Sequence, residues 1–181
     1  MEPNLAQTLA LLERTPRTFS ALLRGLPGEW TKCNEGGSSW SAFDIVGHLI
    51  HGEREDWLPR IERILRHGES LPFEPFDREA QKRESVNKTM DQLLDEFIDL
   101  RAGNLELVRD LNLQPNDLTR RGMHPALGPV TMSNLLCTWA AHDMTHLHQL
   151  SRVFANQYRK DVGPWAKYLG VLQCSGHSAQ A

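Results

Sequence analysis

Four segments of the chain repeat apolar residues at helical spacing, and each is bounded by capping or breaking residues. Such spacing commits them to helices, because a strand would split each apolar stripe between two faces. The first runs from about Leu5 to Leu23, through Leu9, Leu12, Phe19 and Leu22, with Pro16 expected to kink or divide it. The second starts at Ser41, an N-cap with Asp44 at N3 and Trp40 placed to staple onto Ile45. It is expected to run to His67 and stop at Gly68, burying Ile45, Val46, Leu49, Ile50, Trp57 and Ile61. The third opens on the Thr89-x-x-Gln92 capping box and runs to about Leu111, with Leu93, Leu94, Phe97, Leu100, Leu107 and Leu111 inward. The fourth runs from Thr131 to about Tyr158, and a short closing helix is expected after Gly163-Pro164. Strand candidates are very short. Four long helices joined by substantial loops predict an all-α four-helix bundle. One connection, GESLPFEPFDREAQKRESVN, is long enough to be a lid or a packed surface excursion.

A chain of 181 residues suits a single domain, expected over residues 1–172 with 173–181 as a disordered tail. Apolar residues make up 40% and charged residues 24%, the balance of a soluble globular protein. A net charge of -3 offers no electrostatic case for nucleic acid or an anionic membrane surface. No apolar run is long enough to span a bilayer, and the N-terminal residues lack the pattern of a secretory signal, so the cytoplasm is expected. Cys33, Cys137 and Cys174 are widely spaced with no CxxC, which argues against a disulfide framework. Cys137 reads as packing.

The fourth segment carries AHDMTHLH, with three histidines in seven residues. At about 100° per residue, His142 and His146 lie roughly 40° apart on the face that also holds Leu135, Trp139, Leu150 and Val153. His148 points away. An i, i+4 histidine pair offers two neutral nitrogen ligands at a nearly constant separation, and a catalytic zinc usually takes a third protein ligand. His48, about 60° from Ile45 on the second segment, is placed to supply it, with Gly52 one turn on leaving room. His51 reads as exposed or as a supporting residue. Hydrogen-bonded core histidines remain the alternative to a ligand set.

HDMTH also resembles the zincin motif H-E-x-x-H with Asp143 in place of the glutamate. The extended zincin motif needs a histidine where Arg152 stands, and no Glu follows His146, which argues against a protease of that type. Asp143 reads as a buried anchor accepting a hydrogen bond from a Trp indole, an Arg or a helix terminus.

Taken together, WSAFDIVGHLIHGEREDW and the later TMSNLLCTWAAHDMTHLHQLSRV resemble the DinB/YfiT-like superfamily, over nearly the whole chain. The matching positions are Trp40-Ser41, His48-Leu49, His142-Asp143, His146 and Gln149. The resemblance implies an up-down-down-up four-helix bundle, often a homodimer, with a divalent metal, commonly zinc or nickel, held by His48, His142 and His146. Three imidazoles also accept iron or manganese. It implies a small-molecule substrate and either thiol-dependent transfer, using a low-molecular-weight thiol such as bacillithiol or mycothiol, or metal-dependent hydrolysis. A non-catalytic metal-binding stress-response or interaction module is the third reading.

Base candidates near His48 are Asp44 and Glu55, against their plain roles as cap and solvated charge. His124 is placed near the mouth of the site or reads as an ordinary loop residue. Trp57 and Trp139 could line a pocket or simply pack. Arg60, Arg63 and Arg66 could meet an anionic substrate but read first as a solvated face.

Overall fold

The chain turns at Glu13 and Arg14, dividing the first expected helix into α1 (Leu5–Leu12) and α2 (Thr15–Leu23). Pro16 lies in the first turn of α2, where its missing N–H leaves no intrahelical bond unmade. The structure is a computed structural model and describes residues 4–174. After a single turn, α3 (Gly28–Thr31), the second expected helix also comes in two pieces, α4 (Ala42–Glu55) and α5 (Trp57–His67). They break at Asp56, whose φ of -107° and ψ of -68° depart from helical values. The long connection contains one turn of helix, α6 (Gln81–Glu84), and leads to α7 (Met90–Asp110). A further turn, α8 (Pro115–Leu118), precedes an antiparallel hairpin of β1 (Arg121–His124) and β2 (Gly128–Thr131). Helix α9 (Met132–Gln157) follows, then a 3-10 segment, Gly163–Tyr168, and α10 (Gly170–Gln173). Most of the expected tail, residues 175–181, lies outside the described residues.

The caps read from the sequence are formed. Ser41 and Asp44, Thr89 and Gln92, and Thr131 and Asn134 each make reciprocal capping boxes. No helix among the described residues is long and apolar enough to cross a membrane.

Cross-helix pairs set the topology. Glu13 meets Arg109 and Arg24 meets Asp95, so the α1–α2 unit runs antiparallel to α7. Arg54 meets Glu96 while Glu53, nearby on α4, meets Arg101 and Asn104, and Ile45 shares a cluster with Met90 and Leu93. Helices α4 and α7 are therefore parallel. His48 meets His142 and His146, while Glu53 meets Trp139, which sets α9 antiparallel to α4. The order is up-down-down-up. Two consecutive parallel helices need a connection that travels back along the bundle, which explains the long segment between α5 and α7. Its Phe73 packs into one core cluster, Phe76 lies against His48 and His51, and Gln81 and Ser85 cover Gly47 of α4.

The apolar core is in two parts. One contains Leu12, Ile61, Val108, Leu136 and Trp139, and the other Phe19, Ile45, Leu94, Phe97 and Leu150. Buried polar residues lie between them: Glu53, Arg101, Asn104 and Asp143, with His48 and His146 alongside. This layer displaces one expectation for α7. Leu107 is 50% exposed and Leu111 38%, whereas Arg101, Asn104 and Val108 are buried. Two polar residues on the inward stripe disguised its phase.

Gly122 shows how tightly the hairpin sits. A Cβ there would lie 2.7 Å from Ile64 Cγ1 and 2.8 Å from Phe73 Cε1. Gly122→Ala is expected to destabilise the protein by about 1–3 kcal/mol through overpacking. A denaturation midpoint unchanged from wild type would contradict this packing.

Candidate metal centre

Helix α4 supplies His48 and α9 supplies His142 and His146. The apolar stripes of both helices carry these rings inward; His48 is 5% exposed and His146 4%. His142 Nε2 lies 3.1 Å from His48 Nε2 and 3.1 Å from His146 Nε2. One ligand nitrogen from each residue falls within a 4.8 Å span.

Hydrogen bonding cannot account for this arrangement. A ring nitrogen carries either one proton or one lone pair, so His142 Nε2 serves at most one of its two neighbours. A positive charge on His48 or His142 is also disfavoured. Burial, then the charges of His146, His51 and Arg78, push His48 down to about 3. His142 is likewise held well below the ordinary histidine range, chiefly by burial and then by His146 and His48. Two rings held uncharged by burial, with a third ring nitrogen converging on them, fit one cation. The 3.1 Å separations approach the roughly 3.3 Å expected between imidazoles on a tetrahedral ion with about 2.0–2.1 Å bonds.

His146 Nδ1 faces Gln149 Oε1 at 2.8 Å. An amide oxygen only accepts, so Nδ1 donates, and the neutral ring then presents its Nε2 lone pair to the shared point. The Nδ1 atoms of His48 and His142 are buried without a hydrogen-bond partner among the described residues. Aromatic rings wedge the cluster. Trp40 lies 4.7 Å from His48 and stacks at 6.1 Å on His146, and Trp57 meets His142 edge-on at 5.2 Å.

Beneath the histidines lies a buried ion network. Arg101 donates to Asp143 at 2.7 and 3.0 Å, to Glu53 at 2.7 Å and to the Leu12 carbonyl at 2.8 Å. That carbonyl is one of the unpaired acceptors ending α1. Glu53 also accepts from the Trp139 indole at 3.0 Å and from Asn104 at 3.0 Å. Burial lowers the Arg101 pKa, but Glu53 and Asp143 outweigh it and hold the guanidinium above its ordinary value. Burial raises the Glu53 carboxyl against the pull of Arg101.

Above the histidines opens a cavity of about 890 Å³. Trp40, Trp57, Phe73 and Phe76 form much of its apolar wall, and the hairpin contributes His124, Leu127 and Val130.

The structure thus brings together His48, His142 and His146, and leaves His148 exposed away from them. Of the two readings of His51, the exposed one is excluded: it is 6% exposed, 3.1 Å from Glu84 and against Phe76, which also lies on His48. Gly52 makes room for the Trp57 indole, whose Nε1 would lie 3.2 Å from a Cβ there. Asp44 is occupied as the helix cap, and Glu55 is exposed. Asp143 is the anchor expected of it, with Arg101 as partner. His124 edges the cavity, but its Nδ1 accepts the N–H groups of Ala126 and Leu127 in the hairpin turn. Trp57 lines the cavity and Trp139 packs beneath it at 5.7 Å. Arg60 is no solvated residue; it pairs with Asp56 at 2.5 Å on the cavity wall. Arg63 holds Glu74 and the Pro72 carbonyl, and Arg66 is exposed. The sequence reading missed Glu53, Asp56 and Arg101. The available signal was a charge on an inward stripe, since Glu53 follows Leu49, and Arg101 follows Phe97, by one turn.

Two solved structures share this fold. YfiT from Bacillus subtilis, described as "a probable metal-dependent hydrolase with an unusual four-helix bundle topology", superposes with a TM-score of 0.72 at 18% identity, covering 89% of this chain and 90% of its own. TT2238, described as a four-helix bundle protein, gives a TM-score of 0.56 at 18% identity, covering 81% of this chain and 98% of its own. No curated protein matches the chain. The family model of the DinB superfamily matches residues 11–150, a span that contains all three histidines, and the chain belongs to that superfamily.

Proposed function

We propose that the protein is a metal-dependent enzyme acting on a small molecule in the cavity above His48, His142 and His146, with hydrolysis as its reaction. The observation that carries this reading is His142 Nε2 placed 3.1 Å from two other ring nitrogens at once. The description of YfiT as a probable metal-dependent hydrolase supports it. A divalent ion held by these rings supplies Lewis acidity, polarising a carbonyl or phosphoryl oxygen and bringing the pKa of water to about 7. The protein's own groups do the rest. The three rings converge, and Gln149 holds the His146 tautomer. Trp40, Trp57 and Phe76 keep bulk water from the cavity floor and pack against an apolar part of the substrate. Zinc and nickel are the ions proposed first, with iron and manganese also compatible with three imidazoles.

A second reading is transfer of a low-molecular-weight thiol to a substrate. The size of the cavity favours it, because about 890 Å³ is near the top of the range for one ligand and leaves room for two.

Metal analysis of protein purified without a histidine tag tests the shared premise, with about one divalent ion per chain expected. A panel of esters and amides, with and without bacillithiol, mycothiol or glutathione, then separates the readings. Turnover without thiol supports the hydrolase, and turnover only with thiol supports the transferase. Sub-stoichiometric metal in every preparation sinks both. A fully loaded protein inert in every arm would point to a non-catalytic binding module.

A further inference from the structure

The charges lining the cavity do not all pair with one another. Its wall carries the carboxylates of Glu35, Asp56 and Glu79 and the guanidiniums of Arg60, Arg78 and Arg152. Glu35 accepts two bonds from Arg152, at 2.7 and 2.8 Å. Asp56 pairs with Arg60, and Glu79 with Lys82. Every acid on the wall is therefore engaged, and among the described residues Arg78 has no carboxylate partner.

The crossover segment holds Arg78 in place. On one side, Phe73 is buried and its N–H bonds the Met123 carbonyl of β1 at 2.8 Å, while Phe76 rests on His48 and His51. On the other, Ala80 is buried and leads into α6. Between them the Asp77 carboxylate accepts the Glu79 N–H at 2.9 Å and pairs with Arg83 at 2.5 Å. The backbone is anchored on both flanks, and the Arg78 side chain is left exposed on the cavity wall.

We propose that Arg78 binds an anionic group of the substrate, a carboxylate or a phosphate, and so directs the uncharged reacting end toward His48, His142 and His146. This deepens the proposed function and rests on its reading of the cavity as a substrate site. Guanidinium matches both anions through paired N–H donors, and the aromatic walls take the apolar body between the two ends. The substrate class is thus a small amphipathic acid or phosphate ester.

Calorimetric titration of the full-length protein with benzoate, phenyl phosphate and uncharged benzamide tests this, in metal-loaded and metal-stripped forms. Wild type is expected to bind at least one anion about tenfold more tightly than benzamide, with a preference that weakens as salt rises. The tighter of the two anions identifies the group that Arg78 recognises. Arg78→Gln is expected to abolish the preference without changing metal content or benzamide affinity, and Arg78→Lys to restore part of it. An undiminished preference in Arg78→Gln overturns the proposal, as does equal binding of all three probes by wild type. Any metal–anion attraction is common to wild type and variant, so their difference reports Arg78. An Arg78-dependent preference in a protein that never holds metal would sink the metalloenzyme reading and leave this one standing.

Discussion

Arg101→Met is expected to destabilise the protein by about 3–5 kcal/mol at neutral pH, the cost of breaking a buried ion network from one side. For a chain of this size that is a fall in Tm on the order of 10 °C. Methionine fills much of the volume, so the loss is electrostatic rather than a cavity. Glu53 and Asp143, both fully buried on the side-chain scale, would face each other with no cation between them. The Leu12 carbonyl that ends α1 would lose its donor as well. The deficit should shrink as pH falls. Burial already raises the Glu53 carboxyl, and removing Arg101 raises it further. A carboxyl whose folded pKa lies above its unfolded value is disfavoured as pH rises from the unfolded toward the folded pKa, and the penalty is relieved below both. Denaturant titrations of both proteins at pH 7 and pH 5 measure this. Equal stability at pH 7 would show that the network is not what joins the two halves of the core.

The second large effect concerns the histidines. His142→Ala is expected to weaken binding of zinc or nickel by at least about a hundredfold. That follows if the roughly 10–16 kcal/mol typical of a structural zinc site is shared over four ligands. His142 is the informative choice because its Nε2 is the atom common to both 3.1 Å contacts. Gln149→Leu removes the acceptor that holds the His146 tautomer and is expected to cost about 10–100-fold. His148→Ala, two residues along the same helix, should leave affinity unchanged. Competition against a chromophoric chelator reads all three, with circular dichroism confirming the helical fold. Wild-type affinity in His142→Ala would place the ion elsewhere.

Much of this molecule was legible before folding. The capping boxes at Ser41, Thr89 and Thr131 are contacts across three residues, so sequence order alone specifies them. The inward phase of His142 and His146 follows from the helical repeat, and His48 follows from the stripe of α4. The phase of α7 was misread because hydrophobicity was the guide, and the inward positions at 101 and 104 are Arg and Asn. Nothing local distinguishes a buried arginine from a solvated one. Burial of Arg101 is tolerable only because Asp143 and Glu53 arrive from 42 and 48 residues away.

The break at Asp56 has the same origin. Sequence periodicity carries through from α4 to α5, yet the chain turns there and places the Asp56–Arg60 pair on the cavity wall. The crossover segment reads only as a long loop in sequence. That it returns along the bundle, laying Phe76 over His48 and Arg78 on the cavity wall, follows from the parallel packing of α4 and α7. Helices, caps and the histidine stripe rest on interactions within a few residues, and the amino-acid order encodes these directly. The charged layer, the cavity and the uncompensated arginine depend on which distant segments meet, and that is settled by packing the four helices around two apolar cores.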